Sequence, residues 1–386
     1  MPLQSSHNCY AAARKAAGGV GMRITERALE RPGEMEANKR LIRKNVSEMA
    51  GYVPGEQPVD PGILKLNTNE NPYPPSPRVG EAFERCNVAD LRRYPDPQCR
   101  ELRETIARLH GVEPAMVFVG NGSDEVLALI IRAFVENDGS VGFFDPSYSL
   151  YPVLAQAAGV AQRPVALGDD FEWSMPDGYE ASVFFLTCPN APTGMAYAPE
   201  TVAVFCRTFN GLVVVDEAYA DFAEGNALSL ARELGNVLVC RTLSKSYSLA
   251  GLRVGYAIGS PVLIDALGRI KDSYNIGCLA QKLAVAALND QAYMLRHTGF
   301  IRETRERVAR ELYMMGFVVT PSQANFLWVR HERVAAKELF SRLRERKVLA
   351  RYFPGERTDR HLRITIGTDA DMDRFLFEMR NALNQQ

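Results

Sequence analysis

No long apolar run, no paired cysteines and no charge excess occur in this sequence, and each absence removes a class of protein. No apolar segment approaches the roughly 20 residues that a bilayer-spanning helix needs. The 7 cysteines (Cys9, Cys86, Cys99, Cys188, Cys206, Cys240 and Cys278) are scattered and odd in number. None forms a CxxC pair, which argues against a zinc site or a disulfide framework and for reduced thiols in a cytoplasmic protein. With 45 basic and 46 acidic residues the formal net charge is -1, and no basic cluster marks a nucleic-acid surface. HExxH and Walker A motifs are missing, and Gly120-x-Gly122 lacks the third glycine of a dinucleotide fingerprint. Acidic residues are missing from Met1 to Thr25, where Arg14, Lys15 and Arg23 are basic. For residues 1–34 that composition favours an N-terminal extension or an upstream start codon over a transit peptide.

What is present is a globular composition, 46% hydrophobic and 24% charged over 386 residues, which is long for one domain. From Pro97 onward, helical patterns alternate with short apolar runs. Helices are predicted over Glu101–His110 (ended by Gly111) and Glu125–Val135. Buried strands are predicted at Met116–Val119, Val141–Phe144, Val183–Leu186, Leu212–Val215, Val237–Cys240 and Val254–Ile258. Runs apolar on both faces and separated by helices predict a mostly parallel sheet sandwiched by helices. After Gly277 the pattern changes to helices at Leu279–Leu288, Ile301–Met315, Val334–Arg346 and Asp371–Leu383. Strands are expected between them at Phe317–Thr320, Phe326–Val329 and Leu362–Ile366. The expected organisation is an extension and arm over 1–74, a large domain over 75–276 and a smaller α+β domain over 277–386.

Polar residues follow several of these strands directly, and ligands bind beyond the carboxyl ends of strands in open α/β sheets. Asp216 follows Leu212–Val215. Thr242, Ser244 and Lys245 follow Val237–Cys240, Gly122-Ser123-Asp124 follows Met116–Val119, and Tyr148 lies just past Val141–Phe144. One crevice would thus receive a carboxylate, an amine, a phosphate cradle and an aromatic ring. Pyridoxal phosphate needs that set: a lysine for its aldehyde, an acid for its ring nitrogen, an anion site and a flat face. Arg253 can add a bidentate contact to phosphate. Taken singly the signals are weaker, since Asp216 and Ser123 would each also serve as helix N-caps.

The ordered stretches NENP, RYPDP, GNGSDE, DPSY, PNAPTG, DEAY, TLSKSYSLAGLRVG and LRITIGT resemble fold-type-I, class II pyridoxal-phosphate-dependent aminotransferases. From about Tyr52 to the C terminus the sequence is more narrowly similar to the histidinol-phosphate aminotransferase family. The resemblance implies that Lys245 holds the cofactor as a Schiff base and moves a proton between substrate and cofactor. Asp216 would pair with the ring nitrogen, Tyr219 with the phenolic oxygen and Tyr148 with the ring face. Ser123, Asp124, Thr242, Ser244 and Arg253 would surround the cofactor phosphate, and Tyr94 would reach that of the other subunit in a homodimer. Arg363 would bind the substrate phosphate, helped by Arg351, Tyr52 and, from the partner subunit, Tyr274. The motif departs from the family at Pro189-Asn190-Ala191-Pro192, where a second asparagine usually contacts the phenolic oxygen. Either Asn190 shifts to serve, or Tyr219 with a water does.

The activity implied is amino transfer between L-histidinol phosphate and 2-oxoglutarate (giving glutamate) in histidine biosynthesis, with no metal, membrane or nucleic-acid partner. An aromatic amino acid aminotransferase and a threonine-phosphate decarboxylase of the same fold are the neighbouring alternatives. A non-catalytic ligand sensor on this fold is a third, but the residues before Tyr52 are too few for a winged helix. Lys245→Ala should abolish turnover and leave the far-ultraviolet circular dichroism unchanged; retained activity would mean that another lysine does the chemistry.

Overall fold

The computed structural model describes residues 38–385, so the expectation for 1–34 lies outside the described residues. The described residues up to Glu48 belong to one unit, in which Lys44–Ser47 makes a single helical turn. Everything from Met49 onward forms the second unit. The expected arm is therefore described in two pieces, and its later part belongs to the second unit.

In chain order the strands of that unit are β1 (Leu64–Lys65), β2 (Val117–Asn121), β3 (Ser140–Asp145), β4 (Ala161–Ala166), β5 (Val183–Thr187), β6 (Leu212–Asp216), β7 (Val237–Thr242) and β8 (Val254–Gly259). β9 (Phe317–Val319), β10 (Phe326–His331), β11 (Val348–Leu349), β12 (Arg351–Tyr352) and β13 (Leu362–Thr365) follow. Seven strands form the main sheet in the order β2-β8-β7-β6-β5-β3-β4. All pairs are parallel except the two that β8 makes, with β2 and with β7. Two reversals about β8 restore the direction of β2. The turn after β2 therefore emerges at the same edge as the ends of β5, β6 and β7.

Alternation along each strand divides the core into two layers. Val213, Val215, Phe184 and Val239 face one side, against Leu102 and Ile106 of helix Arg100–His110 and Phe205 of helix Pro199–Thr208. Val214, Phe185, Leu238 and Cys240 face the other, against Val126 and Ile130 of helix Gly122–Phe134 and Tyr151 of helix Leu150–Ala158. Edge strand β4 was not predicted. It reads Ala-Gln-Arg-Pro-Val-Ala, buries only Val165 and carries a proline, as an edge tolerates.

A four-stranded antiparallel sheet, β12-β13-β10-β9, forms the core of a smaller C-terminal domain with helices Gln291–Met314, Ala336–Glu345 and Asp369–Asn384. Helix Gln291–Met314 starts ten residues before the Ile301 expected. Leu295 and Phe300 are exposed on it, so the apolar stripe that marks a helix is blurred over its first turns. Helix Cys278–Leu288, although it lies after Gly277, contributes Leu283 and Ala284 to the core of the seven-stranded sheet. Arm strand β1 pairs in parallel with β11. Among the described residues no helix is long and apolar enough to cross a membrane.

A buried ion network joins β6 and β7 beneath the lysine loop. Arg241 donates through Nε and Nη2 to Oε2 of Glu217 at 2.9 and 2.7 Å, and through Nη1 to Asp221 at 3.3 Å. Asp221 accepts in turn from the Ser246 hydroxyl. Burial pushes the Glu217 carboxyl up, against the pull of Arg241. Removing one member strands a charge in the core, which costs about 3–5 kcal/mol. Arg241→Met should lower unfolding free energy in urea by about that amount at neutral pH. The loss should shrink as pH falls, because the stranded Glu217 is then protonated in the folded state; a loss independent of pH would rule out that origin.

Candidate active site

The site gathers where the parallel strands end. Register places Asp216 beside Thr187 of β5 and Cys240 of β7, and Thr242 beside Gly255 of β8. A cavity of about 480 Å³ opens there, bounded on its far side by the arm and the smaller sheet. Of the residues predicted from sequence, Ser123, Asp124, Tyr148, Asp216, Tyr219, Thr242, Ser244, Lys245 and Arg253 line it, and so do Tyr52, Arg351 and Arg363.

Asp216 is buried, accepting from the Tyr151 hydroxyl at 2.7 Å and from the Ala218 N–H at 3.2 Å. Burial raises its pKa to about 6, and the Tyr151 bond restrains the rise. No cation pairs with it among the described residues. Tyr151 was not foreseen, because it sits in an apolar helix where a tyrosine reads as core. Lys245 donates to the carbonyl of Thr68 at 3.1 Å and lies 5.9 Å from the centre of the Tyr219 ring. Its pKa falls to about 8, chiefly by burial, next by the charge of Arg363 and only weakly by that of Arg253. Desolvation, not the arginine over the anion cradle, supplies the larger part of this shift.

Helix Gly122–Phe134 begins three residues before the predicted Glu125, so Gly122, Ser123 and Asp124 form its first turn. The N–H groups of a first turn have no intrahelical acceptors, and with the helix dipole they suit an anion. Arg253 stands over this turn. It donates to Asp124 at 2.9 Å and to the Ser244 hydroxyl at 3.4 Å. The packing needs glycine. A Cβ on Gly122 would lie 2.5 Å from Arg253 Nη2, and one on Gly255 would lie 2.3 Å from the N of Ser123. Thr242 donates to Ser244 at 2.9 Å, and Asp124 accepts from the Tyr148 hydroxyl at 3.1 Å.

Asn190 departs from the prediction. It is buried but does not line the cavity, because its amide donates to Pro146 O and Thr193 Oγ1 and accepts from Ser147. Those bonds tie it to the turn after β3 and to Thr193 of its own loop, and Ala191 faces the cavity instead. Tyr94 and Tyr274 do not line it either. They stack on each other at 4.3 Å with 80% and 45% of their surfaces exposed.

Arg351 and Arg363 are directly opposed on β12 and β13. Both lie over the Phe353 ring at 5.2 Å. Arg351 donates to the carbonyls of Val53 and Pro54, and Arg363 to that of Asn67. Neither meets a carboxylate among the described residues. The Nε of Arg363 is enclosed without any acceptor, and burial together with Arg351 lowers its pKa.

A model of the family "Aminotransferase class I and II" matches residues 61–377. The chain belongs to that family. This aminotransferase is 45% identical over 344 residues to the histidinol-phosphate aminotransferase of Geobacter sulfurreducens, covering 88% of this chain and 98% of the relative. It is 46% identical over 339 residues to that of Syntrophotalea carbinolica, covering 87% and 97%. The crystal structure of histidinol-phosphate aminotransferase from Sinorhizobium meliloti in complex with pyridoxal-5'-phosphate superposes with a TM-score of 0.76, at 28% identity, over 83% of this chain and 90% of that one.

The aminotransferase cavity fits pyridoxal phosphate on its own chemistry. Asp216 is a dry carboxylate in need of a cation, Lys245 is a shielded amine, and the Gly122 turn with Arg253 makes an anion cradle. A lysine with its pKa near 8 is substantially neutral at that pH, and only the neutral amine attacks an aldehyde. Uptake of pyridoxal phosphate by the cofactor-free protein should therefore quicken with pH and level off above about 8. A rate still climbing beyond pH 10, followed by the cofactor's visible absorption, would show that the amine is not shielded.

Proposed function

We propose that this aminotransferase moves the amino group between L-histidinol phosphate and 2-oxoglutarate with pyridoxal phosphate, as a cytoplasmic homodimer. The observation that carries the choice of substrate is the Arg351–Arg363 pair. Like charges directly opposite on neighbouring strands repel, and here one guanidinium nitrogen has no acceptor at all. A phosphate dianion offers enough oxygens and charge for two guanidinium forks. The identities near 45% to histidinol-phosphate aminotransferases support the same reading.

Bound pyridoxal phosphate supplies an electron sink for the pair left when the substrate Cα loses its proton. The protein's own groups do the rest. The Asp216 carboxylate, oriented by Tyr151, holds the proton on the ring nitrogen. Tyr219 donates to the phenolic oxygen, and Tyr148 covers the ring. Ser123, Thr242, Ser244, Arg253 and the helix N terminus bind the cofactor phosphate. Lys245 would take the substrate Cα proton and return it at the cofactor carbon that carries the aldehyde, on the other side of the shared nitrogen, acting as base and then acid. Arg363 and Arg351 hold the substrate phosphate, with Tyr52 beside them.

The exposed Tyr94–Tyr274 stack supports a shared site, since neither ring serves the cavity of its own chain. Six described cysteines, all unpaired, fit a reducing compartment.

Histidinol phosphate plus 2-oxoglutarate should yield glutamate, and release of CO2 without glutamate would replace amino transfer by decarboxylation. Arg363→Ala should raise KM for histidinol phosphate by about 100-fold or more, the scale of a lost charge-assisted contact. An equal loss for aromatic amino acids would make Arg363 structural and remove the argument for a phosphate substrate.

A further inference from the structure

The loop that reaches the cavity at Ala191 presents no polar side chain there, and the Asn190 amide is committed elsewhere. That leaves the Tyr219 hydroxyl to meet the phenolic oxygen of the cofactor. A hydroxyl has one proton to give, so which way it points decides whether it can serve.

The direction is set by a chain of hydrogen bonds that runs from Thr365, behind the cavity wall, through Asn69 at its border. The N–H of Asn69 donates to Thr365 Oγ1 at 3.0 Å, so that hydroxyl is an acceptor toward the backbone. Its own proton then goes to Asn69 Oδ1, at 3.1 Å. With Oδ1 engaged by Thr365, the Nδ2 of Asn69 faces Tyr219 Oη at 2.9 Å, where an amide nitrogen can only donate. The Asn69 carbonyl accepts from Asn325 at 3.0 Å, which anchors the residue from a third side. Asn69 is buried and left-handed at φ 56°, a conformation that asparagine tolerates better than most residues.

We propose that Asn69 is a positioning residue: locked by Thr365, its amide occupies a lone pair of the Tyr219 hydroxyl and leaves the tyrosine proton to be donated into the cavity. It thereby makes up for the asparagine missing at 191, acting through Tyr219 instead of touching the cofactor. The inference rests on the pyridoxal-phosphate reading above. The charged groups facing Tyr219 are Lys245, Arg363 and Asp216, and none of them makes a hydrogen bond to its hydroxyl.

A donor on the phenolic oxygen withdraws electron density from the conjugated nitrogen that joins lysine and cofactor, and so lowers its affinity for a proton. The readout is the pH midpoint of the visible absorption band of the holoenzyme. Asn69→Asp keeps size and left-handed tolerance but offers only acceptors, drawing the Tyr219 proton out of the cavity. The midpoint should rise by roughly 0.5–1 pH unit, the scale of one hydrogen bond. The added negative charge contributes too, and the Tyr219→Phe background measures that part. There the same substitution should shift the midpoint by less than half as much. Thr365→Val should raise the midpoint and Thr365→Ser should keep the wild-type value, which decides the matter even if Asn69→Asp fails to fold. Equal shifts with and without the Tyr219 hydroxyl, or an unmoved midpoint in Thr365→Val, would overturn the inference alone. A wild-type protein that shows no visible band with pyridoxal phosphate would overturn the cofactor reading and this inference together.

Discussion

Asp216 reaches the cavity at the end of β6, a strand buried along its whole length, and among the described residues its carboxylate finds two hydrogen-bond donors but no cation. A charge in that position must be balanced from the open side of the cavity. Much of the surrounding architecture follows from this requirement. The lysine amine stands at the next strand over, the anion cradle two strands beyond, and the arginine pair across the opening. The sheet order brings these groups together because β2 and β7, on either side of β8, run in the same direction. The Glu217–Arg241 pair answers the same problem differently, since Glu217 is as deeply buried as Asp216 but carries its cation within the fold.

Strands β5, β6 and β7 were legible in the sequence because they are apolar on both faces and end in polar residues, and the site residues at their ends followed. Edge strand β4 was not, since an exposed Gln-Arg-Pro segment carries no burial pattern. The helix beginning at Gly122 was placed three residues late, because glycine and acidic residues read as a turn. Tyr151 and Asn69 were invisible as participants. The first looks like one apolar helical position among several, and the second lies in a quoted motif whose partners, Thr365 and Tyr219, are distant in sequence. Asn190 went the other way. Its side chain was expected at the cofactor, yet hydrogen bonds to Pro146, Ser147 and Thr193 satisfy it away from the cavity.

The two sheets divide the work of recognition. The large one supplies groups whose chemistry suits a single cofactor. The small one supplies Arg351 and Arg363 on adjacent strands, with Phe353 as a shared flat surface. Tyr52 and the carbonyls of Val53 and Pro54 come from the arm, which β1 pins to β11. If Arg351 binds substrate as proposed, substrate choice depends on a short, irregular segment holding that arginine above the cavity.

Pairing of Asn121 with Val254 has a consequence for the order in which the protein is made. The anion cradle draws on the turn at 122–124 and on Arg253 and Gly255, separated by well over a hundred residues of chain. A nascent polypeptide emerging from the ribosome can complete helix Gly122–Phe134 early, but the cradle cannot close until β8 has been synthesised and inserted between β2 and β7. Affinity for the cofactor is thus acquired late and cooperatively, and a chain truncated before β8 would have most of its parallel strands and no place to hold a phosphate.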